Sequence, residues 1–520
     1  MSTGTDRVGR VAPYVAGIVA GAAMLAVGEA LAALLRQRTG PVAAVAELVR
    51  DLTPAGLVKG FIELVGTADK PILVAIVTVG ALALSALAGR WRFGWLVLVG
   101  LGVLASVAVL VNPGESGVGA ARGALVVPPG LATCVGVACL AVLQDAARAA
   151  AREGRDATGA TGATGGTGRR RFLVIAGGVA LTAVVVGAAG RLAGRSRRTV
   201  EAAREALLDR LRATPGEVPA GAQLDVPGVG RWQVPGEQFY RIDTAFAVPL
   251  VDPDAWRLRI HGMVEKELEL SLADLLDRPA TEAWTTLCCV SNPVGGDLIG
   301  NAWWTGVRIA PLLAEAGVQA GADAVLQTSE DGWTCGTPLG VLTDDRDAML
   351  AYAMNGEPLP IEHGFPVRVV VPGLYGYVSA TKWVVDLEVT TFDAFEAYWT
   401  QRGWAPEGPV KTQSRVLVPR DGTRVRAGEV DIAGDAWAQH RGIEKVEVQV
   451  DGGPWTTCEL GTVPSADTWV QWSTRVSCGP GDHTVVVRAT DGDGETQTSV
   501  RTDVVPDGAS GWHEVRFTAG

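Results

Sequence analysis

The chain has 520 residues, a formal charge of −11 and no basic stripe interleaved with aromatics, which argues against nucleic-acid binding. Its length allows two or three domains. Seven cysteines are too few for a disulfide scaffold in a chain this long.

Composition changes sharply near residue 200. Before it come five apolar segments long enough to span a bilayer: 11–35, 71–89, 93–114, 123–144 and 172–190. The last four contain no Asp, Glu, Lys or Arg. The first carries only Glu29, which reads as an intramembrane functional carboxylate or, near a segment end, as an interface residue. The Ala- and Gly-rich runs suit close helix packing. The stretch 42–66 is mixed and reads as an interfacial or short external helix. Residues 1–195 are therefore expected to form a multi-helix transmembrane domain.

Arg90 and Arg92 fall in one short loop, and Arg148, Arg152, Arg155 and Arg169, Arg170 and Arg171 in another. Placing both in the cytoplasm puts the C-terminal half on the extracytoplasmic side of the plasma membrane. Arg191, Arg195, Arg197 and Arg198 run against that orientation. The low-complexity stretch 157–168 reads as a flexible linker. The run Gly168-Arg169-Arg170-Arg171-Phe172-Leu173 resembles an internal twin-arginine export signal; a plain basic flank is the alternative. No histidine precedes His261, so a transmembrane bis-histidine haem is excluded on ligand chemistry, and no haem is expected within the chain.

Residues 196–231 read as a connecting segment, with a helix at 200–211 and an extended lead-in. The region 232–405 reads as a mixed α+β domain. It opens with an extended run at 239–249 and a strand at 256–262. A short helix at 270–276 follows, with Ser271 as a possible cap. A strand at 284–290 leads into Cys288 and Cys289. An amphipathic helix at 307–316 and strands at 324–329 and 367–371 complete it. From 406 to 520 the pattern is all strand, at 415–419, 442–450, 470–476 and 483–489, with a hairpin turn at Asp451-Gly452-Gly453. This predicts an Ig-like sandwich that packs or dimerises. Cys458 and Cys478 either pair in an oxidising compartment or stay as two buried thiols.

Two stretches carry the chemistry. In the first, 285–300, a thiolate at a strand end can ligate a soft metal, although either cysteine could equally be a buried thiol. No CxxC or HExxH spacing supports an all-protein zinc site. Ser291 and Asn292 could donate hydrogen bonds beside the thiolate; capping the turn is an equally ordinary role for Asn292. In the second, 363–383, His363, Arg368 and Lys382 sit in a Gly/Pro-shaped apolar run. Arg368 offers a bidentate fork for an oxyanion and Lys382 a point charge. Arg241 is a further candidate. Ordinary salt bridges are the alternative for each.

With these residues in view, the chain resembles the sulfite oxidase family of molybdenum enzymes. Cys289-Val290-Ser291-Asn292 matches the family's Cys-x-x-Asn setting. Trp304-Thr305-Gly306-Val307, Ala316-Gly317-Val318, His363-Gly364-Phe365-Pro366-Val367-Arg368, Val371-Pro372-Gly373 and Lys382-Trp383 fit as well. The resemblance covers roughly 235–400, and the sandwich fits the family's dimerisation domain. It implies a molybdenum–pyranopterin dithiolene cofactor with Cys289 as metal ligand. Ser291, Asn292, His363, Arg368, Ser379 and Lys382 would line the cofactor. Cys289, Arg368, Lys382 and Trp404 would be the catalytic set. Two departures stand out. Arg241-Ile242-Asp243-Thr244 replaces an arginine followed by Asn-His. Trp404 stands where sulfite-handling members carry a tyrosine, for which Tyr375 or Tyr377 could compensate.

The resemblance implies two-electron oxygen-atom transfer on a small oxyanion or oxo compound. The direction could be oxidation, as with sulfite, or reduction, as with an S-oxide or N-oxide. Lacking a CxxCH motif, the chain would exchange electrons with an external cytochrome or quinone-linked protein. The non-enzymatic alternative is a membrane-tethered interaction protein with a vestigial cofactor site.

Overall fold

A computed structural model describes residues 4–520, apart from 36, 38, 39, 55, 56, 58–60, 62–64, 66, 67, 112–124, 157–166, 194–196, 209, 212, 246 and 247. The chain divides into two compact units, Met1–Arg197 with Ala245–Ala247, and Arg198–Thr244 with Val248–Gly520.

The first unit is helical. Its elements are α1 (Gly4–Leu34), α2 (Pro41–Leu52), α3 (Asp69–Arg90), α4 (Trp95–Val111), α5 (Val127–Asp156) and α6 (Thr167–Ala193). Small residues let the helices approach closely. A Cβ at Gly17 of α1 would overlap the Ser85 carbonyl of α3, and one at Gly89 would overlap the Pro13 carbonyl. Ala20, Met24, Ala88, Leu98, Ala132 and Leu140 form one buried cluster between helices.

Among the described residues, three helical stretches are long and apolar enough to cross a membrane: Val11–Leu34, Asp69–Arg90 and Val127–Ala149. Trp95–Val111 is apolar but shorter. The expected segment 172–190 lies within α6, which is not one of the three. Glu29 caps a neighbouring helix, since its Oε1 accepts the Val42 backbone N–H at 2.9 Å, in the first turn of α2. A carboxylate there offsets the unsatisfied donors of a helix N-terminus. Within the expected linker, 157–166 lies outside the described residues, as do Arg195 and the ends of two expected spans at 112–114 and 123–124.

In the second unit, the segment after helix α7 (Arg197–Leu208) is packed rather than free. Ala222 and Val229 are buried, and the Leu224 N–H donates to Gln471 Oε1 at 2.9 Å. The extended run that follows leads to two sheets. One has the order β2 (Leu268–Ser271), β1 (Arg257–Gly262), β10 (Val384–Thr390), β5 (Ala324–Ser329), β6 (Thr334–Pro338). The other has the order β3 (Thr281–Cys288), β4 (Ile299–Arg308), β7 (Met349–Met354), β8 (Glu357–Pro358), with β9 (Arg368–Val370) paired to β7. A short helix, α8 (Leu272–Leu276), starts from a capping box in which Ser271 Oγ accepts the Asp274 N–H and the Asp274 carboxylate accepts the Ser271 N–H. Helix α9 (Ile309–Ala316) buries Ile309, Leu312, Leu313 and Ala316 and ends at Gly317, whose φ of 71° suits a residue without a Cβ.

Residues from 413 onward form a two-sheet sandwich. One sheet runs β11 (Gln413–Val418), β13 (Gly428–Trp437), β17 (Val470–Cys478), β16 (Glu459–Leu460). The other runs β12 (Thr423–Val425), β19 (His513–Ala519), β18 (Gly481–Asp491), β14 (Ile443–Val450), β15 (Trp455–Thr457). Val416, Ile432, Trp472, Val487 and Phe517 fill the space between. Cys458 and Cys478 are separate buried thiols in this core, not a disulfide. Cys478 ends β17 opposite Gly428, while Cys458 lies between β15 and β16 with its N–H on the Val446 carbonyl.

The sandwich is built onto the strand that carries the cysteines. The Thr286 N–H donates to the Asp467 carbonyl at 2.9 Å, and Thr286 Oγ1 accepts the Trp469 N–H at 2.8 Å. Trp232 and Trp469 exchange indole N–H to carbonyl bonds of 3.1 and 3.0 Å.

Candidate active site

Strands β3 and β4 form a hairpin whose last paired residues are Cys288 and Ile299. Successive residues at a strand end face opposite ways, so two adjacent cysteines meet different surroundings. Cys288 joins the hydrophobic core, and its Sγ donates to the Cys289 carbonyl at 3.5 Å. Cys289 lines a cleft. The two identical side chains are separated by strand geometry alone.

The connecting loop holds Cys289 firmly. Its N–H donates to the Leu298 carbonyl at 2.9 Å, and its carbonyl accepts the Asn292 N–H at 3.1 Å. Burial pushes the Cys289 thiol upward, while the N–H and hydroxyl of Ser291 favour the thiolate and pull it back. Asn292 serves the turn: its Oδ1 accepts the Leu298 N–H at 2.9 Å, and its Nδ2 approaches Cys288 Sγ at 3.9 Å. Ser291 lines the cleft and Asn292 does not.

The opposite wall comes from 363–383. Gly364 has a φ of 111°, and a Cβ there would lie 3.0 Å from Arg368 Cβ and 3.1 Å from Lys382 Cα, so this turn needs glycine. His363 is buried, and its Nε2 lies 3.0 Å from the Gly236 carbonyl. Burial, then the charges of Arg368 and Lys382, lower its pKa to about 4. The ring is neutral at pH 7, with Nε2–H donating and Nδ1 left as an acceptor.

Arg368 is 5% exposed. Its guanidinium donates only to the carbonyls of His363, Val369 and Ala380, at 3.2–3.4 Å, and lies over the Trp304 ring at 5.1 Å. Among the described residues no carboxylate pairs with it within ion-pair distance. Burial lowers its pKa to about 10. A guanidinium held in this way is costly unless an anion compensates it.

Lys382 is different. Its Nζ meets Asp243 Oδ2 at 2.9 Å and the Glu362 carbonyl at 3.1 Å, and it lies 4.6 Å from the Trp383 ring centroid. Burial lowers its pKa to about 8, against the opposing pull of Asp243. The point charge expected of Lys382 is therefore already countered within the protein. Arg241 Nε meets the same Asp243 oxygen at 2.9 Å, and its side chain is 44% exposed. Arg241 does not line the cleft. Ser379 does not line it either: its buried hydroxyl donates to the Tyr375 carbonyl at 2.9 Å, closing a local turn.

Trp404 stands at the cleft with Tyr377 and Trp399, at ring separations of 5.8 and 6.2 Å. The Tyr377 hydroxyl is committed to the Ala405 and Glu407 carbonyls at 2.8 and 3.0 Å. The Tyr375 hydroxyl accepts the Lys411 N–H at 3.4 Å, and Tyr375 does not line the cleft. One phenol is therefore committed to backbone carbonyls and the other lies off the cleft lining, so neither stands in for the one missing at Trp404.

Sequence reasoning missed Tyr240, Asp243 as a charge partner, Asp331 and Trp333, all on the cleft wall. Burial, followed by Cys289 and Cys288, raises the Tyr240 phenol well above its usual range, which places it within electrostatic reach of both thiols. Its neighbour Phe239 wedges edge-on against His363 and Trp304 at 5.7 and 5.8 Å. The aromatic pair beside Arg241 in an otherwise mixed run was the available signal.

A buried thiol with two local donors and a buried guanidinium with no described carboxylate partner share one cleft. That donor set fits an anionic, thiolate-ligated cofactor. Residues 245–399 match the model of the oxidoreductase molybdopterin binding domain, and 414–487 match that of a bacterial Ig domain. Human mitochondrial sulfite oxidase is 33% identical over 293 residues, covering 47% of this chain and 53% of that protein. The uncharacterized oxidoreductase YuiH of Bacillus subtilis (strain 168) is 36% identical over 157 residues, covering 30% of this chain and 76% of that protein. The sulfane dehydrogenase SoxCD of Paracoccus pantotrophus superposes with a TM-score of 0.46 at 25% identity, covering 53% of this chain and 79% of that one. The chain spans about half the length of the mammalian sulfite oxidases it matches. With the molybdopterin-binding domain and the Ig domain in sequence, the chain belongs to the sulfite oxidase family of molybdopterin-dependent oxidoreductases.

Proposed function

We propose that this chain transfers an oxygen atom to or from a small neutral oxo compound, an S-oxide or N-oxide, rather than an oxyanion. The observation that carries this reading is the charge balance of the cleft. On its wall Asp243 pairs with Lys382, Asp331 adds a further carboxyl group, and His363 is neutral. The Arg368 guanidinium, with no carboxylate partner among the described residues, is needed against an anionic cofactor. That leaves no lining positive charge for a dianionic substrate, whose desolvation would go uncompensated.

When bound, the molybdenum–pyranopterin group supplies the two-electron oxygen-atom chemistry itself. Cys289 would ligate the metal, with Ser291 donors tuning the sulfur. Arg368 would neutralise the cofactor's negative charge. Trp404, Trp399 and Tyr377 would hold an apolar substituent of the substrate and exclude water. Reduction of an S-oxide consumes two electrons and two protons and releases water. Lys382, its pKa lowered to about 8, is a wall group able to give up a proton near neutral pH. An external cytochrome or quinone-linked protein would exchange the electrons, and the sandwich could pair two copies. Helices α1, α3 and α5, with α4 and α6 crossing as well, would anchor the chain in the plasma membrane; those five crossings would bring the arginines at 90, 92 and 148 to the cytoplasmic side and favour an extracytoplasmic catalytic unit.

Sulfite oxidation is the second reading, favoured by the names of relatives 32–33% identical. A panel on purified full-length protein separates the two. Aryl sulfoxides and amine N-oxides are offered with a reduced viologen dye, and sulfite is offered with ferricyanide. Turnover of the neutral compounds with negligible sulfite oxidation supports the proposal; a dominant kcat/KM for sulfite overturns it. Cys289→Ser should lose molybdenum, and full metal content in that variant refutes the ligand assignment. A wild-type protein without molybdenum or pterin would point to a vestigial site.

A further inference from the structure

The loop that carries Cys289 is gripped from outside its own domain. Its tip is the turn at Pro293–Gly296, where the Gly296 N–H bonds the Pro293 carbonyl at 2.9 Å. Arg415, on β11 of the sandwich, donates from Nη1 to the Gly296 carbonyl at 2.7 Å. Its other two nitrogens, Nε and Nη2, donate to Asp435 Oδ2 at 3.1 and 2.7 Å. Both side chains are buried, at 8% and 1% exposure. The guanidinium also lies 5.4 Å from the Trp469 ring centroid and 5.9 Å from that of Trp437.

A second sandwich residue closes on the same tip. A Cβ at Gly295 would overlap the His513 imidazole, so ring and loop backbone are in direct contact. His513 Nδ1 accepts the Val416 N–H at 3.0 Å, which fixes the ring against β11. From the tip the path to the sulfur is short: Leu298 is tied to Asn292 Oδ1 and to the Cys289 N–H.

We infer that Arg415 and His513 are positioning residues that make the sandwich part of the metal-ligating loop's support, so that this domain sets the pose of Cys289 as well as any association between copies. The functional side of this inference rests on Cys289 being the metal ligand; the mechanical side does not. Burying an arginine that is paired with a buried carboxylate and set against one backbone carbonyl is a costly way to join two domains, and it yields directional rigidity at the tip of a turn. Loop ligands held by outside contacts keep their geometry through a redox cycle.

Removing Arg415 alone would strand Asp435 as a buried charge, so the informative variant replaces both, Arg415→Leu with Asp435→Leu. His513→Leu is the second variant, and Arg475→Ala, which breaks an exposed ion pair on the sandwich with Asp431, is the control. Three readouts are taken on the full-length holoprotein: amide hydrogen exchange across 290–298, the Mo(V) paramagnetic resonance signal, and kcat and KM separately. Both test variants should raise loop exchange at least tenfold, alter the Mo(V) signal, and lower kcat roughly tenfold with KM within twofold. The control should change none of these. Wild-type exchange rates together with an unaltered Mo(V) signal in either folded test variant overturn the inference. If the double variant does not fold, His513→Leu decides by the same criteria. Loop exchange reads the grip whether or not Cys289 binds metal, whereas the molybdenum content of Cys289→Ser reads the ligand assignment, so the two failures are distinguishable.

Discussion

His363 should make the catalytic unit acid-labile by a calculable amount. The ring is 6% exposed, its Nε2–H is on the Gly236 carbonyl, and its pKa falls from 6.5 to about 4. On acidification the unfolded chain takes up this proton near pH 6.5, while the folded chain resists until about pH 4. The unfolded state therefore binds more protons across that window. Stability is fully present above pH 6.5, falls as pH drops toward 4, and is flat below. Each pH unit in the window is worth about 1.4 kcal/mol, so the shift of 6.5 to about 4 amounts to roughly 3 kcal/mol. His513, also lowered to about 4, adds a parallel loss, so the effect must be read as a difference between proteins. His363→Gln keeps a donor for Gly236 and removes the titration. Of sixteen tryptophans, Trp91 and Trp95 lie in the helical unit, leaving fourteen in the other, so fluorescence reports the catalytic unit. Urea unfolding of the cofactor-free full-length chain should show that the wild type loses about 2 kcal/mol more than His363→Gln between pH 7 and pH 4.5. Parallel pH profiles would refute the reasoning.

Asp243→Asn should cost about 3–5 kcal/mol in urea unfolding at pH 7, because Lys382 and Arg241 share that carboxylate and Lys382 is left buried without it. Its loss also drives the Lys382 pKa further below about 8, so an activity that needs the protonated amine should acquire a higher dependence on acid. Ser291→Ala removes a donor to the Cys289 sulfur and should shift the pH profile of thiol alkylation in the cofactor-free protein upward; an unmoved profile would mean the hydroxyl does not act on the sulfur. Trp404→Ala should raise KM for an aryl sulfoxide roughly three- to tenfold, with kcat little changed, as expected for losing one aromatic contact.

Much of the site could be read from the chain because it is local. The Cys289-Val290-Ser291-Asn292 turn and the Gly364 bend depend on near neighbours, and so does the Ser271 cap. Charge pairing was less legible. Lys382 and Asp243 are 139 positions apart, and nothing in either neighbourhood marks them as partners. Ser379 sat in a promising run but spends its hydroxyl on the turn it occupies. Arg415 looked like an ordinary strand residue of the sandwich until its 119-residue reach to Gly296 was seen.

What the sequence by itself determined is the inventory: apolar helices, a thiol at a strand end, a histidine and a guanidinium on a Gly/Pro bend, and a strand-rich C-terminal region. These follow from periodicity, turn chemistry and side-chain type, which act over a few residues. Only the tertiary structure decided which charges were already spent. Arg368 was left without a carboxylate partner among the described residues, Lys382 and Arg241 came to share one buried carboxylate, and the loop of Cys289 was placed in the grip of another domain. The reason is that desolvation and ion pairing depend on which distant segments meet, and local pattern carries no record of those meetings.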